Sequence, residues 1–240
     1  MKLTDFTTLT FDCYGTLIDW EAGLLSELRP WLQRHGKDVA ETAVLEAFGV
    51  AEAHAQASAP GKRYPDILAD AMRALGERWR IAVTPSELDA FGASVGSWPP
   101  FADSADSLAY LKRHYRLVIL SNVDRVSFAK SNAKLGVSFD HIFTAEEIGS
   151  YKPDLRNFEY ALARLRDVGV EKHSMLHVAQ SLFHDHVPAK RLGLATAWID
   201  RRSGKPGSGA TLPAQATPDW RFASLAELAA EVRRLAGEAP

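Results

Sequence analysis

An aspartate at the end of a short apolar run is the residue in this chain best placed to attack a substrate. Asp12 follows Leu9-Thr10-Phe11 and opens Asp12-Cys13-Tyr14-Gly15-Thr16-Leu17. A carboxylate released from a buried strand into a Gly-Thr turn can act as a nucleophile and carry a covalent intermediate. The residue two positions on is Tyr14, not a second acid, which restricts the reactions open to the site. Further polar groups follow later apolar runs: Ser121-Asn122 after Leu117–Leu120, and Gln180-Ser181 just past Met175–Val178. Lys152 lies in Ser150-Tyr151-Lys152-Pro153, just before a helical pattern. Each alone reads as a cap or turn residue. Together, at the carboxyl ends of separate strands, they read as one site. Lys152 can hold Asp12 ionised. Asn122 offers two amide donors to an anion or leaving group. Thr16 and the turn amides near Gly15 can bind an anionic substrate group. His177, His184 and His186 argue weakly for zinc: no cysteine lies nearby, and an extended segment would point 184 and 186 in opposite directions. His184 is assigned instead to the pocket and mid-strand His177 to the core.

These groups need a scaffold. Leu117–Leu120, Met175–Val178 and Ala195–Ile199 are continuous apolar runs of the kind buried in parallel sheets, and His141–Thr144 is a weaker strand candidate. Helical patterns lie between them, Ser104 to His114 and Arg156 to Arg166, each with one apolar face. Strand-helix alternation predicts an α/β fold with a doubly wound parallel sheet. From about Asp19 to Ser97 the pattern is helical throughout, anchored by Trp20, Trp31, Phe48, Trp79 and Phe91, with a break at Ala57–Gly61. The division expected is a core of residues 1–18 and 98–240 and an inserted helical cap of residues 19–97, placed to act as a lid. Arg201 to Pro218 is rich in Gly, Ser and Pro and reads as a surface loop, with Arg201-Arg202 solvated. Leu225 to Leu235 reads as a terminal helix.

The 240 residues allow one large domain or a core with an insert, and 46% hydrophobic with 24% charged residues is an ordinary globular balance. A net charge of −2 gives no reason to expect nucleic acid or an anionic membrane as partner. The single cysteine, Cys13, can make no internal disulfide; it reads as a small buried hydrophobe in a cytoplasmic protein. No apolar run approaches the ~20 residues that span a bilayer. The tryptophans of the insert, if exposed, would support a homodimer.

Taken together, four ordered stretches resemble the haloacid dehalogenase superfamily: Phe11 to Leu17, Leu120-Ser121-Asn122, Lys152-Pro153, and His177 to Ser181 running on to Asp185 and Pro188-Ala189. The resemblance covers the chain in order, with the helical insert where that superfamily places its first cap. Its phosphatases carry a second acid at the position of Tyr14 and an acid at the position of Gln180. Both are lost here, and Mg²⁺ prefers anionic oxygen ligands. The Asp-x-Tyr-Gly-Thr form resembles the metal-independent L-2-haloacid dehalogenase branch. That resemblance implies catalysis by Asp12, Lys152 and Asp185, with no cofactor and a small carboxylate as substrate. Asp12 would displace halide, Asn122 would receive it, and Asp185 would activate water. Ser121 and Thr16 would hold the substrate carboxylate, and Ser181 would orient Lys152 or Asp185. Tyr14, Tyr64, Gln180 and His184 complete the expected binding set.

Departures are visible as well. Gly49 stands where that branch places a cap arginine, and Phe158 where a tyrosine often follows the motif lysine. Lys62-Arg63-Tyr64 offers a replacement cation and an aromatic wall, although Arg63 reads first as a surface charge. The alternatives are a Mg²⁺-dependent phosphatase for small phosphorylated metabolites and a non-catalytic protein that binds a small carboxylate.

Overall fold

In the computed structural model, which describes residues 2–238, six parallel strands form one sheet. In chain order they are β1 (Thr8–Phe11), β2 (Arg116–Ser121), β3 (His141–Thr144), β4 (Met175–Ala179), β5 (Ala195–Ile199) and β6 (Trp220–Phe222). The spatial order is β3-β2-β1-β4-β5-β6. All four residues of β1 and all five of β4 are buried, so both are covered on two faces, and their apolar runs need no polar alternation. The chain moves from β1 to one side through β2 and β3, then crosses to the other side with β4. The crevice beyond the ends of β1 and β4 is therefore the switch point at which open α/β sheets bind ligands. Pairing of Phe11 with Ile119 on one side and with Val178 on the other aligns these three strand ends.

Among the described residues ten α-helices accompany the sheet: α1 (Trp20–Arg34), α2 (Glu41–Ser58), α3 (Tyr64–Trp79), α4 (Pro85–Ala93), α5 (Ser104–Leu111), α6 (Arg125–Leu135), α7 (Ala145–Ile148), α8 (Leu155–Arg166), α9 (Val187–Arg191) and α10 (Leu225–Ala236). Their starts are written in the sequence. The side chains of Asp19, Asp124 and Ser224 accept from the third amide beyond them, and Thr84 forms a capping box with Glu87. Helices α1 to α4 all fall between β1 and β2 and bury Trp31, Phe48, Ile67 and Leu68. No helix among the described residues is long and apolar enough to cross a membrane.

Four expectations need correction or addition. The insert's tryptophans are not exposed. Trp20 and Trp31 are buried, and half-buried Trp79 packs on Trp31 at 6.2 Å between ring centroids, so they give no basis for a dimer. Helix α6 escaped the periodicity because its inner face mixes Phe128 and Leu135 with Ser127 and Ser131. Strand β6 is three residues long, with Arg221 at its centre, too short for a pattern. Residues 201–211 are only partly a surface loop. Arg201 stacks on Phe101, pairs with Asp103 at 2.9 Å and donates to the Thr16 carbonyl at 3.0 Å. Arg202 pairs with Glu21, and Ala210 and Thr211 are buried. The expected solvated pair of arginines is thus a tether, Arg201 fastening this strap to Thr16 and to residues 101–103 and Arg202 fastening it to α1.

Candidate active site

Asp12 leaves β1 at the switch point and is buried. Its two oxygens are held from opposite directions: Thr16 Oγ1 donates to Oδ2 at 2.7 Å and Lys152 Nζ donates to Oδ1 at 3.0 Å. The same ammonium donates to Asp185 Oδ1 at 2.6 Å and to the Leu120 carbonyl at 2.9 Å. All three protons of the ammonium are therefore committed within the protein. Asp185 also receives His177 Nε2 at 3.0 Å, and His177 Nδ1 meets Thr10 at 2.9 Å, the residue beside it in the sheet register.

The electrostatics follow from one buried cation between two buried carboxylates. Burial opposes ionisation of Asp185, but Lys152 and His177 outweigh it and hold this carboxyl well below its ordinary range. Burial pushes Asp12 up; Lys152 pulls it down, Asp185 pushes it up again, and the balance lies above the ordinary aspartate value. Burial opposes the charge of Lys152, yet the two carboxylates keep its pKa above that of a free lysine. The pair thus divides unequally: Asp185 is the fixed anion, and Asp12 is the more basic of the two.

Above this cluster lies a cavity with about 30 Å³ of open space. Asp12, Lys152, Asp185, Tyr14, Tyr64, Ser121, Asn122, Ser181 and His184 all line it, so nine of the residues expected from sequence meet there. Two do not. Thr16 is fully buried beneath Asp12; its hydroxyl donates to Asp12 and accepts the Gln180 amide at 2.9 Å, leaving nothing for substrate. Gln180 lies outside this cavity, its carbonyl taken by Trp198. Of the turn amides, Gly15 donates to Ile18 and both Leu17 and Ile18 donate to Cys13, while those of Cys13, Tyr14 and Thr16 have no partner among the described residues, so the anion cradle expected there is only partly closed.

Further placements differ from expectation. Ser181 orients neither Lys152 nor Asp185 through its side chain; its hydroxyl accepts the His184 amide at 2.9 Å and caps the wide helical turn Leu182–His186. That turn is not extended, and it buries both His184 and His186. Asn122 clamps the Lys152 peptide, donating to its carbonyl at 3.0 Å and accepting its amide at 2.7 Å, while one N–H remains for the cavity. His177, expected as a core residue, is a buried partner of Asp185.

The insert brings residues that sequence reasoning missed: Trp20 from α1, and Glu52 and Gln56 from α2. Glu52 is buried and accepts the Tyr64 hydroxyl at 2.6 Å. Burial raises its pKa to about 7; the Tyr64 donor pulls down and Asp12 pushes up. The signal was available, since Val44, Phe48, Glu52 and Gln56 recur at four-residue steps and two of them are polar on a buried stripe. Thr211 of the strap also lines the cavity. Arg63 does not: it points to Glu146 and Asp124 at 3.4 and 3.7 Å and is half exposed. Gly49 is packed under the strap, where even a Cβ would lie 2.5 Å from the Ala210 carbonyl oxygen. The backbone of residues 210–211 therefore occupies the space that a side chain at position 49 would enter.

Asp12, Lys152 and Asp185 as an ion-paired set at a parallel-sheet switch point agree with the family comparison. Residues 6–182 match the model of the haloacid dehalogenase-like hydrolases. The chain belongs to the haloacid dehalogenase-like hydrolases. Among curated members it is 34% identical over 143 residues to the (S)-2-haloacid dehalogenase of Pseudomonas sp. strain YL, a match covering 58% of each chain. It is 29% identical over 104 residues to a glyceraldehyde 3-phosphate phosphatase of Methanothermobacter thermautotrophicus, covering 42% of this chain and 45% of the relative. It thus spans less than two thirds of the curated relatives it matches. The structure of L-2-haloacid dehalogenase from Xanthobacter autotrophicus superposes with a TM-score of 0.75 at 20% identity, over 95% of this chain and 98% of that one, which establishes the fold.

Whether the site of this haloacid dehalogenase-like hydrolase suits Mg²⁺ can be judged from its donors. Among the described residues no group of three or more His, Cys, Asp or Glu side chains is placed to hold a metal ion. The Lys152 ammonium bridges the two acids a divalent ion would need, Tyr14 turns its hydroxyl to Ser131 at 2.9 Å, and Gln180 lies outside the cavity. The donor set does not fit a divalent ion, and no chemical step is routed through one.

Proposed function

We propose that this protein hydrolyses the carbon–halogen bond of small 2-haloalkanoic acids through an ester on Asp12, without a metal ion. The observation that carries this reading is the position of Lys152 Nζ, bonded to Asp12 and Asp185 together, with Tyr14 two residues after Asp12 where a leaving-group acid would stand and its hydroxyl turned to Ser131. A halide departs as a stable anion and needs no such acid; an alkoxide leaving from phosphorus does.

An Asp12 oxygen attacks the carbon bearing the halogen. The C–O bond forms as the C–halogen bond breaks, and the halide leaves with the bonding electrons. The free Asn122 N–H is in position to receive it. Asp185 Oδ2 is buried and has no partner among the described residues. That oxygen accepts a hydrogen bond from water and aims it at the ester carbonyl carbon. Addition places negative charge on the former Asp12 oxygen beside the Lys152 ammonium, which stabilises it. Collapse breaks the bond between the carbonyl carbon and the substrate-bound oxygen, and the 2-hydroxy acid departs with one proton of the water. The other proton goes to solvent, and Asp12 is restored as carboxylate. Ser121 Oγ, also buried without a partner among the described residues, is free to bond the substrate carboxylate.

Halide release from 2-chloropropanoate by EDTA-treated protein tests this reading. The expected outcome is unchanged release. Loss of activity on chelation, restored by Mg²⁺ together with phosphate release from small phosphate esters, would favour the phosphatase reading instead.

A further inference from the structure

A 2-haloacid is an anion, yet the cavity presents no cation free to receive it. Lys152 has spent its three protons on Asp12, Asp185 and Leu120. The remaining lining residues carry acids, amides, hydroxyls, aromatic rings and one histidine. That histidine, His184, is kept neutral, because burial lowers its pKa to about 4. The residue facing Asp12 from the insert is Glu52. Among the described residues its one hydrogen-bond partner is the Tyr64 hydroxyl, which donates to Oε1 and leaves Oε2 available.

A buried carboxyl with one neutral donor and no counter-ion is more stable protonated. We infer that Glu52, protonated and steadied by Tyr64, is the specificity-determining residue that donates a hydrogen bond to the substrate carboxylate, in the place where a cation would otherwise stand. The inference rests on the haloacid reading above. The groups facing Glu52 are Tyr64 from α3, Asp12 and Tyr14 after β1, Lys152 and Tyr151 before α8, and His184 and Asp185 from the turn after β4. Of these, Asp12 is the other carboxyl that burial pushes above its ordinary value, so any test must separate the two.

The sign follows from the protonation state. Substrate is bound by the acid form, so affinity is full below the Glu52 pKa of about 7 and falls about tenfold per pH unit above it. Glutamine in its place is a donor at every pH.

The test is calorimetric binding of propanoate, an unreactive carboxylate, from pH 5.5 to 8.5. For the wild type the Kd is expected to weaken about thirtyfold between pH 5.5 and 8.5. For Glu52→Gln the curve is expected to be flat, and at pH 8.5 the variant should bind propanoate at least tenfold more tightly than the wild type. A residue that only supports the fold would weaken binding at all pH values when replaced, so that result overturns the inference. A slope surviving in Glu52→Gln overturns it too and assigns the titration to Asp12. Tyr64→Phe provides a second variant: it removes the donor that lowers the Glu52 pKa, and the midpoint of the binding curve should move upward. An unmoved midpoint counts against the inference. Halide release from 2-chloropropanoate, measured in parallel, separates the two readings. Turnover with a pH-independent Kd overturns the Glu52 assignment alone, whereas pH-dependent propanoate binding without turnover leaves Glu52 as a carboxylate receptor and removes the dehalogenase reading.

Discussion

Three side chains set the chemistry at the residue scale, and their environments differ more than their types. Asp12 and Asp185 are both aspartates within reach of one ammonium. His177 behind Asp185 makes that residue the permanent anion, which leaves Asp12 as the nucleophile of the proposed reaction. Asp12→Asn is expected to abolish halide release while leaving the fold intact, checked by a halide electrode and circular dichroism. Lys152→Met has a different consequence. It strands two buried carboxylates without a counter-charge, and stability should fall by about 3–5 kcal/mol, read from denaturant unfolding. Thr16→Val should weaken turnover through Asp12 and not through substrate affinity, because the Thr16 hydroxyl is bonded to Asp12 and the Gln180 amide and lies outside the cavity; kcat falls and KM holds. Asp12, Ser121, Asn122 and Ser181 were legible in sequence because each closes or follows a strand whose apolar run announces it, and Lys152 because it stands just before a helical pattern. Their division of labour was not, because it depends on which lone pairs and protons are already taken. Thr16 and Asn122 illustrate this: the sequence shows two groups able to bind an anion, and the structure shows both engaged in holding the catalytic side chains.

At the scale of elements, the wide turn Leu182–His186 and the strap at 201–211 carry consequences of their own. The turn buries His186, whose pKa burial lowers to about 4, with Nε2 set against the Ala179 carbonyl at 2.9 Å. A histidine whose folded pKa lies below its unfolded value loses stability as pH falls. From the ordinary value of 6.5 down to about 4 this group costs about 3 kcal/mol when fully expressed. His186→Gln, which retains a donor for the carbonyl, should remove that share of the acid-side decline in melting temperature. The strap leaves no room for a side chain at position 49. Gly49→Arg would not rebuild a haloacid pocket, because the Ala210 carbonyl already fills the approach; it should destabilise by about 1–3 kcal/mol, measured by thermal unfolding. The strap was opaque to sequence reading for a physical reason. Its Gly, Ser and Pro composition is that of a surface loop, while its anchors, Arg202 to Glu21 and the Ala210 amide to Glu21 at 3.0 Å, are contacts across about 180 residues of sequence. Strands β1 to β5 and the four-helix insert, by contrast, were legible because their apolar periodicity is local.

The whole molecule is a parallel sheet whose switch-point crevice is roofed by helices inserted between its first two strands in sequence. The cavity has about 30 Å³ of open space and a partly open mouth, so it is tight around Asp12 and longer substrates are expected to fit it less well. The value of kcat/KM is expected to drop by about tenfold from 2-chloropropanoate to 2-chlorohexanoate, measured by halide release. The central claim is covalent catalysis by Asp12, and one measurement addresses it directly. Enzyme in excess over 2-chloropropanoate is allowed a single turnover in ¹⁸O-labelled water, and both enzyme and product are analysed by mass spectrometry. The account predicts label in the Asp12 carboxylate and unlabelled 2-hydroxypropanoate, because water attacks the ester carbonyl carbon. Label in the hydroxyl of the product on that first turnover, with Asp12 unlabelled, would contradict it.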